Sequence, residues 1–359
     1  MHDCRQHAFS RTNFLAGAGA AATMLLPGAR AFAQAPAVPR RFIDIHHHFY
    51  PPELVAVMNA WQTKHNQAPL TAYINLTAEK SLAQMDAAGI SVALLSLASP
   101  RGVWFEADPK AIPELARACN EFAARQMRDH PGRFGLLAAM PLPDIDASLK
   151  EIAYAFDTLH ADGVGIPTSF ATRWPGDPIF EPFFAELNRR KAVVVFHPNT
   201  PNCCLSPFLP GVNDSVLEVP YDTGRAFLNL LTSGTLAKYP DVRYTFAHGG
   251  GVLPYLAGRL VSLSNSFAGN LAVNAPDGVE AMLRRMYYDT ANATFPATMA
   301  ALLREIPVSQ VMFGTDIPYL TAKQNIGPLD AYGLPAADFT AIAHGNAMRM
   351  FPRLQTLVF

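Results

Sequence analysis

From Phe42 onward, short runs of consecutive apolar residues alternate with longer stretches in which apolar positions recur at helical spacing. Unbroken apolar strands are typical of a parallel sheet that is covered on both faces. Their regular alternation with helices is typical of crossover connections between parallel strands. The pattern predicts eight strands, over Phe42–His46, Ser91–Leu97, Arg133–Met140, Gly163–Ile166, Ala192–His197, Val242–His248, Met286–Asp289 and Gln310–Gly314.

Stretches of helical length fill most gaps between these strands. Eight strands in this order favour an α/β fold, a (β/α)8 TIM barrel, over an open doubly wound sheet. Asp144 and Asp222 stand where helix N-caps belong. Two longer connections, Met58–Ile74 and Pro198–Pro220, follow strands 1 and 5, so we expect them to overhang the active-site end. The clearest predicted helices cover Ala78–Ala88, Pro109–His130, Ile145–Ala161, Phe180–Arg190, Asp222–Lys238 and Ala336–Phe351.

The first 40 residues differ in composition from the rest. Arg5 and Arg11 precede the short apolar run Phe14–Leu26, and Ala31-Phe32-Ala33 fits the small-residue rule for a cleavage site. The sequence therefore predicts a cleaved export signal over residues 1–33, a linker over residues 34–40 and a barrel domain over residues 41–359.

The stretch Ser10–Leu15 resembles a twin-arginine export signal, although Thr12 stands where the second arginine belongs. We expect an exported, periplasmic protein with no membrane span after signal removal, because the apolar run is too short to cross a bilayer. A cytoplasmic location is the alternative if the signal is not used.

Composition narrows the function classes further. Half of the residues are apolar, 16% are charged and the formal net charge is −1. Such a chain can bury a large core, and its lack of a basic block predicts no nucleic-acid partner. The four cysteines are too few and too badly spaced for a disulfide framework, and Cys203 and Cys204 are adjacent.

Histidines and an aspartate stand at or just after the C-terminal ends of several predicted strands. His46 and His48 are two residues apart in strand 1, so their side chains point the same way while His47 points elsewhere. In a barrel, the C-terminal ends of all strands meet on the face that carries the chemistry. Three imidazoles and one carboxylate suit zinc, manganese or iron and leave one coordination position open. The candidates at the ends of strands 5, 6 and 8 are His197, His248 and Asp316.

These residues belong to recognisable motifs, namely Ile43-Asp44-x-His46-x-His48, Phe196-His197-Pro198, His248-Gly249-Gly250-Gly251, Gly314-Thr315-Asp316 and Gly345-Asn346-Ala347. With them, residues 41–352 resemble the amidohydrolase-related (amidohydrolase 2) family of metal-dependent barrels. That family includes the aminocarboxymuconate-semialdehyde and aromatic acid decarboxylases, and the chain is most similar to the 6-methylsalicylate decarboxylases. The resemblance implies that four residues bind the metal and that His248 handles a proton beside it. The implied ligands are His46, His48, His197 and Asp316.

Two interpretations of His248 stay open, a proton-handling residue or a fourth imidazole ligand. Relatives with two metal ions carry a carboxylated lysine at the end of strand 4, where this chain has Gly165–Ser169 without a lysine. We therefore predict one divalent ion, zinc first and manganese as the alternative.

The resemblance implies a nonoxidative decarboxylase, a carboxy-lyase, that acts on a small phenolic or hydroxybenzoate-like carboxylic acid. In this hypothesis His248, with Asp316 as a relay, protonates the ring carbon that bears the carboxylate. Arg259 and Arg225 are the candidate substrate-binding cations. The muconate-semialdehyde enzymes use a further arginine on the helix before strand 2, where Ser81–Asp86 has none, so a two-carboxylate substrate is not expected.

A second hypothesis uses the same residues for metal-dependent hydrolysis of a lactone, ester or amide. A third is a non-catalytic exported binding protein on a barrel scaffold. The residue spacing does not separate the first two hypotheses, and a homodimer is implied by the resemblance alone.

Overall fold

The computed structural model of the chain describes residues 42–72, 74–97, 103–106, 108–201, 212–267 and 269–356. The predicted export signal, the linker and the Cys203–Cys204 pair lie outside these residues. None of the described helices combines the length and the apolar character that crossing a membrane requires.

Eight parallel strands form one sheet in chain order, as a (β/α)8 barrel requires. Each strand end lies within two residues of its predicted position, so the eight predicted strands are confirmed. The strands are β1 (Phe42–His48), β2 (Ile90–Ser96), β3 (Phe134–Ala139), β4 (Gly163–Pro167), β5 (Val193–His197), β6 (Arg243–Phe246), β7 (Tyr287–Asp289) and β8 (Val311–Met312).

Helices surround the sheet and cover its outer face with a large buried apolar layer. The helix Ala78–Ala88 has the bounds predicted from the sequence, and the long connection after β1 proves to be largely helical. Within the described residues the helices are α1 (Pro52–Lys64), α2 (Ala78–Ala88), α3 (Val103–Glu106), α4 (Ala111–Asp129), α5 (Ile145–Asp157), α6 (Glu181–Arg189), α7 (Glu218–Thr232), α8 (Thr235–Lys238), α9 (Leu253–Ser262), α10 (Leu271–Asn274), α11 (Val279–Arg285), α12 (Pro296–Glu305), α13 (Ala322–Tyr332), α14 (Ala336–Thr340) and α15 (Asn346–Met350).

The two predicted N-caps have different outcomes. Asp144 caps α5, where its side chain accepts the backbone N–H of the third helical residue at 3.0 Å. The prediction for Asp222 is wrong, because α7 begins four residues earlier at Glu218. Asp222 is fully buried inside α7, and its carboxylate accepts hydrogen bonds from Thr168 Oγ1 (2.6 Å) and Trp174 Nε1 (2.9 Å). It therefore ties α7 to the loop that follows β4.

The predicted single helix Asp222–Lys238 is divided into α7 and α8. Gly234 lies between them with φ at +82°, a left-handed conformation that a side chain disfavours. A Cβ at this position would lie 2.7 Å from Asn274 Oδ1. The glycine is therefore needed both for the turn and for the close approach of the chain.

The barrel closes where the segment after β8 meets β1. Ile45 N–H donates to the Phe313 carbonyl at 3.0 Å, and His48 N–H donates to the Ile317 carbonyl at 2.9 Å. Between them, Asp316 N–H donates to the His46 carbonyl at 2.9 Å. We call this contact region, residues 44–48 with residues 313–317, the seam.

The opposite end of the barrel, where the strands begin, is filled by the C-terminal segment. Met350, Phe351 and Leu354 pack against the aliphatic side chains inside the barrel. Arg353 makes a bidentate ion pair with the nearly buried Asp162, with N···O distances of 2.8 and 2.6 Å. Since this end is blocked, the other end is the accessible one.

Candidate metal centre

The predicted divergence of the three histidines in β1 is observed. The rings of His46 and His48 have centroids 5.0 Å apart, at the accessible end of the barrel. His47 turns away, with Nδ1 3.1 Å from Asp44 Oδ2 and Nε2 3.0 Å from Ser81 Oγ. The pairing of β1 with β2 is irregular between Asp44 and His47, so a bulge adjusts the local direction of these side chains.

The structure brings the four predicted ligands together. Ligand atoms of all four lie within 4.8 Å of one another. The His197 ring is 5.1 Å from that of His46 and 4.9 Å from that of His48. Asp316 Oδ1 lies 2.9 Å from His48 Nε2 and 3.3 Å from His46 Nε2. We call His46, His48, His197 and Asp316 the four-residue cluster.

The segment that leads to Asp316 has a backbone conformation and a close packing that few residue types allow. A Cβ on Gly314 would lie 2.8 Å from His46 Cβ, so only glycine fits beside β1. Asp316 itself has φ at +63° and is held there by the seam hydrogen bond from its N–H. Such left-handed positions in non-glycine residues persist where the surroundings fix them, often at functional sites.

Hydrogen bonds fix which nitrogen of each β1 ligand faces the cluster. His46 Nδ1 lies 2.8 Å from Asp289 Oδ2, and His48 Nδ1 lies 3.2 Å from the Ser96 carbonyl. Both partners accept, so each Nδ1 carries the proton. Each Nε2 is then left to face the cluster, as in carboxylate–histidine–metal arrangements.

The charge states favour cation binding. Burial holds the pKa of His197 well below its ordinary value, so its ring is neutral. Burial also opposes protonation of His46, but Asp289 and then Asp316 raise the pKa of His46 well above its ordinary value. Although burial acts in the other direction, hydrogen bonds from His46 and His48 hold the pKa of Asp316 well below its ordinary value. A metal ion would therefore displace a proton from the cluster when it binds.

One further observation tests whether the cluster fits an ion. Both ring nitrogens of His197 are buried and have no hydrogen-bond partner among the described residues. An unpartnered buried polar atom is costly. A divalent ion among these donors would remove that cost at His197, and three imidazoles with one carboxylate suit such an ion.

His248 lies beside the cluster. Its ring is 4.8 Å from that of His46 and 5.7 Å from that of His197. Its Nδ1 is 3.1 Å from the Ala291 carbonyl, and its φ of +56° is held by a 2.9 Å hydrogen bond from its N–H to Asp289 Oδ1. His248 also forms a second possible ligand group with His46 and Asp289, so both interpretations of this residue stay open.

Reasoning from the sequence missed two buried carboxylates that position these residues. Asp289 ends β7 and contacts both His46 and the backbone of His248. Asp44 accepts hydrogen bonds from His46 N–H, from His47 Nδ1 and from the backbone and side chain of Thr315. The sequence did contain a signal for each of them. Asp289 stands at the end of a predicted strand, and Asp44 stands inside an otherwise apolar strand.

The two predicted substrate-binding arginines lie on helices α7 and α9. Arg225 Nη1 is 4.0 Å from Asp222 Oδ1, and 38% of its side chain is exposed. Arg259 is exposed. Neither is among the described residues that line the cavity next to the cluster. Their contact with a substrate therefore stays a prediction.

A cavity of about 650 Å³ opens beside the cluster. His197, Asp316 and His248 form part of its wall. The connections after β1 and β5 contribute many other described wall residues, in agreement with their expected overhang. Its volume lies in the usual range for sites that enclose a small molecule.

Comparison with known proteins provides independent evidence on the family to which the chain belongs. A family model described as Amidohydrolase matches residues 43–353. The Decarboxylase yanB of Aspergillus niger is 34% identical over 331 residues, which cover 87% of this chain and 88% of the relative. The 6-methylsalicylic acid decarboxylase of Penicillium expansum is 34% identical over 327 residues, which cover 88% of this chain and 98% of the relative.

The fold has solved counterparts. The crystal structure of 5-carboxyvanillate decarboxylase from Novosphingobium aromaticivorans, complexed with manganese and 4-hydroxy-3-methoxy-5-nitrobenzoic acid, matches with a TM-score of 0.77 and 23% identity. The match covers 87% of this chain and 96% of that chain. At this level of identity the likeness supports the barrel architecture.

The contacts of Asp289 predict the effect of Asp289→Asn. The Asn carbonyl oxygen would keep the hydrogen bonds from the N–H groups of His248 and Ala291, which now go to Oδ1. Its NH2 would then face His46 Nδ1 and force the proton to Nε2, where a metal ion must bind. We expect the metal dissociation constant to rise about 10- to 100-fold, measured by competition with a chelating dye.

His248→Ala is the matched comparison for that measurement. It should retain the wild-type metal content if His248 handles protons, and lose metal if His248 is a ligand. An unchanged dissociation constant in Asp289→Asn would contradict the orienting role of Asp289.

Proposed function

The chain belongs to the amidohydrolase family, and from that premise we propose that it is a metal-dependent, nonoxidative decarboxylase of a small hydroxybenzoate-like acid, of the 6-methylsalicylate type. The observation that carries the proposal is the four-residue cluster beside a cavity large enough for one aromatic ring. The relatives that are similar over most of the chain are named decarboxylases, which supports a carboxy-lyase.

His46, His48, His197 and Asp316 are proposed to hold one divalent ion, zinc first and manganese as the alternative. The end of β4 supports a single ion, because Ile166, Pro167 and Thr168 offer no lysine there. When bound, the ion would supply Lewis-acid chemistry, withdrawing charge from a carboxylate and a neighbouring hydroxyl.

His248 is proposed to carry the proton. Its Nδ1 is occupied by the Ala291 carbonyl, so Nε2 is the nitrogen left for exchange with a substrate. Protonation of the ring carbon that bears the carboxylate interrupts aromaticity. The carbon–carbon bond then breaks, carbon dioxide leaves, and the bonding electrons return to the ring.

Asp316 is proposed to act also as a relay for that proton. It shares the cavity wall with His248, and its carboxylate contacts the imidazoles of His46 and His48. The depressed pKa of Asp316 keeps it ionised, so it can stabilise a positive charge on a neighbouring imidazole. The backbone of the ligand-bearing segments is held by the seam, which limits reorganisation during the reaction.

The reaction class can be tested directly. The metal-loaded enzyme is incubated with hydroxybenzoates, 6-methylsalicylate among them, and with lactones, and both carbon dioxide and released acid are measured. We expect one carbon dioxide per phenol formed from at least one hydroxybenzoate. His248→Ala should retain metal and lose about 100-fold or more in kcat. Lactone opening without any carbon dioxide would instead establish the hydrolase alternative.

Arg225 and Arg259 are proposed to contact the substrate. Arg225 lies on α7, whose first turn contains the wall residue Pro220, and Arg259 lies on α9, which begins two residues after the wall residue Gly251. Loss of a charge-assisted hydrogen bond predicts that Arg225→Ala and Arg259→Ala each raise KM about tenfold, measured by steady-state kinetics. Arg284→Ala, which removes an exposed partner of Glu280, serves as control and should leave KM at the wild-type value.

Export to the periplasm is proposed from residues 1–33, and a homodimer is proposed from the resemblance. The small-residue motif Ala31-Phe32-Ala33 supports cleavage before Gln34. Intact-mass analysis of the periplasmic fraction should find a mature chain that begins at Gln34. A full-length chain confined to the cytoplasm would contradict export.

A further inference from the structure

The three tryptophans of the chain have different surroundings. Trp104 is buried on α3, and Trp174 donates its indole N–H to Asp222. Neither of them is among the described residues that line the cavity beside the cluster. Trp61 does line this cavity, and it belongs to α1 in the connection after β1. The structure therefore singles out Trp61 as the tryptophan that can meet a ligand there.

One side of α1 faces the cavity. Trp61 and Gln62 stand three and four residues after Met58, the spacing of neighbours on one helix face, and all three are wall residues. The side chain of Trp61 is partly buried against the apolar core, and its Nε1 atom is fully buried. The part of this side chain that stays accessible is therefore carbon, so Trp61 offers the cavity an apolar aromatic surface.

His65 stacks on the indole of Trp61. The two ring centroids are 4.2 Å apart and the ring planes differ by 28°. His65 Nδ1 lies 2.7 Å from the Trp61 carbonyl, which only accepts, so this nitrogen is the donor. His65 Nε2 lies 3.0 Å from Glu106 Oε2, and Lys64 Nζ is 3.7 Å from the same oxygen. Contacts on both nitrogens thus fix the imidazole, and the stacked imidazole restricts the rotation of the indole.

A small aromatic acid whose carboxylate is held at the cluster must place its ring in this cavity. Two of the described wall residues carry a benzene-type ring, Trp61 and Tyr319. Tyr319 lies edge to face with His48, with ring centroids 5.6 Å apart, so it borders the proposed metal centre. Aromatic rings attract each other in offset-stacked and edge-to-face pairs beyond the effect of buried area. A saturated ring of the same size lacks this attraction.

We propose that Trp61 is a substrate-contacting residue that selects aromatic acids over saturated acids of the same size, and that His65 is its positioning residue. The cluster cannot make this distinction, because it contacts the oxygen atoms of an acid and not its ring. The inference rests on the proposed function, since it assumes that the carboxylate is held at the cluster.

The test compares benzoate with cyclohexanecarboxylate. Each has one carboxylate on a six-membered ring, and neither carries the hydroxyl that the proposed reaction uses, so binding is measured without turnover. Dissociation constants for the zinc-loaded enzyme are obtained by ligand-observed NMR titration. The selectivity ratio is the constant for cyclohexanecarboxylate divided by that for benzoate. Trp61→Leu should lower this ratio about three- to tenfold, the range expected for the loss of one aromatic pair.

Two further variants serve as controls for Trp61→Leu. Trp61→Phe keeps an aromatic ring, so its ratio should stay within about twofold of the wild-type value. Trp104→Phe changes a buried tryptophan that is not among the described wall residues, and it should keep the wild-type ratio. Thermal unfolding of each variant verifies that the fold is retained.

The positioning role of His65 is tested with the same two acids. His65→Ala removes the stacked ring, so the selectivity ratio should fall at least about twofold. His65→Phe keeps a flat ring against the indole and should restore the ratio. A residue that only stabilised the fold would change the unfolding temperature and leave the ratio unchanged.

An unchanged ratio in Trp61→Leu overturns the inference, as does a wild type that binds both acids equally. An unchanged ratio in His65→Ala overturns the role given to His65. Failure of the proposed function has a different signature, the lack of carbon dioxide from every hydroxybenzoate. The binding ratios decide the role of Trp61 in either case.

Discussion

The closure of the barrel at the seam is the constraint on which the proposed site depends. Two proposed ligands, His46 and His48, come from the first strand, and Asp316 follows the last strand. These side chains can meet only if the first strand and the segment after the last strand are held side by side in a fixed register. Asp44 provides much of that restraint, because its fully buried carboxylate accepts hydrogen bonds from the His46 N–H on one side and from Thr315 on the other. The seam therefore couples the stability of the fold to the geometry of the cluster.

The buried carboxylates at this end of the barrel differ in how they are compensated. Asp44 is surrounded by donors, and Asp289 accepts two backbone N–H groups and faces the His46 ring. Asp316 instead faces the Nε2 atoms of two imidazoles, at 3.3 Å from His46 and 2.9 Å from His48, and hydrogen bonds from these rings hold its pKa well below the ordinary value. Its donors are thus the same nitrogens that a metal ion would bind, and the neutral His197 adds lone pairs rather than protons. A divalent cation would take the place of the protons that these imidazoles present to Asp316.

The sequence predicted the strands and the residues of the cluster well because both depend on local patterns. Unbroken apolar runs mark the strands, and histidines at strand ends stand out against them. Asp222 was misassigned because an acid near a helix start suggests a cap, whereas its real partners, Thr168 and Trp174, are about 50 residues away. Asp289 and Asp44 were overlooked for the same reason, since their role depends on contacts between distant strands. No pattern within β1 indicates that Asp44 will meet Thr315, 271 residues later.

The two ends of the site carry different kinds of information about function. The cluster and His248 are built on strands and on the short turns that follow them, which the barrel holds rigidly, and the same residues suit either decarboxylation or hydrolysis. Much of the described outer wall lies on the connections after β1 and β5, which include Trp61 and Asp214 and lie outside the seam. We therefore expect the strand-borne groups to define the class of chemistry and the loop-borne wall to contact the rest of the substrate. The two parts are connected, because Thr200, three residues beyond His197, donates a 2.9 Å hydrogen bond to Asp214 on the wall.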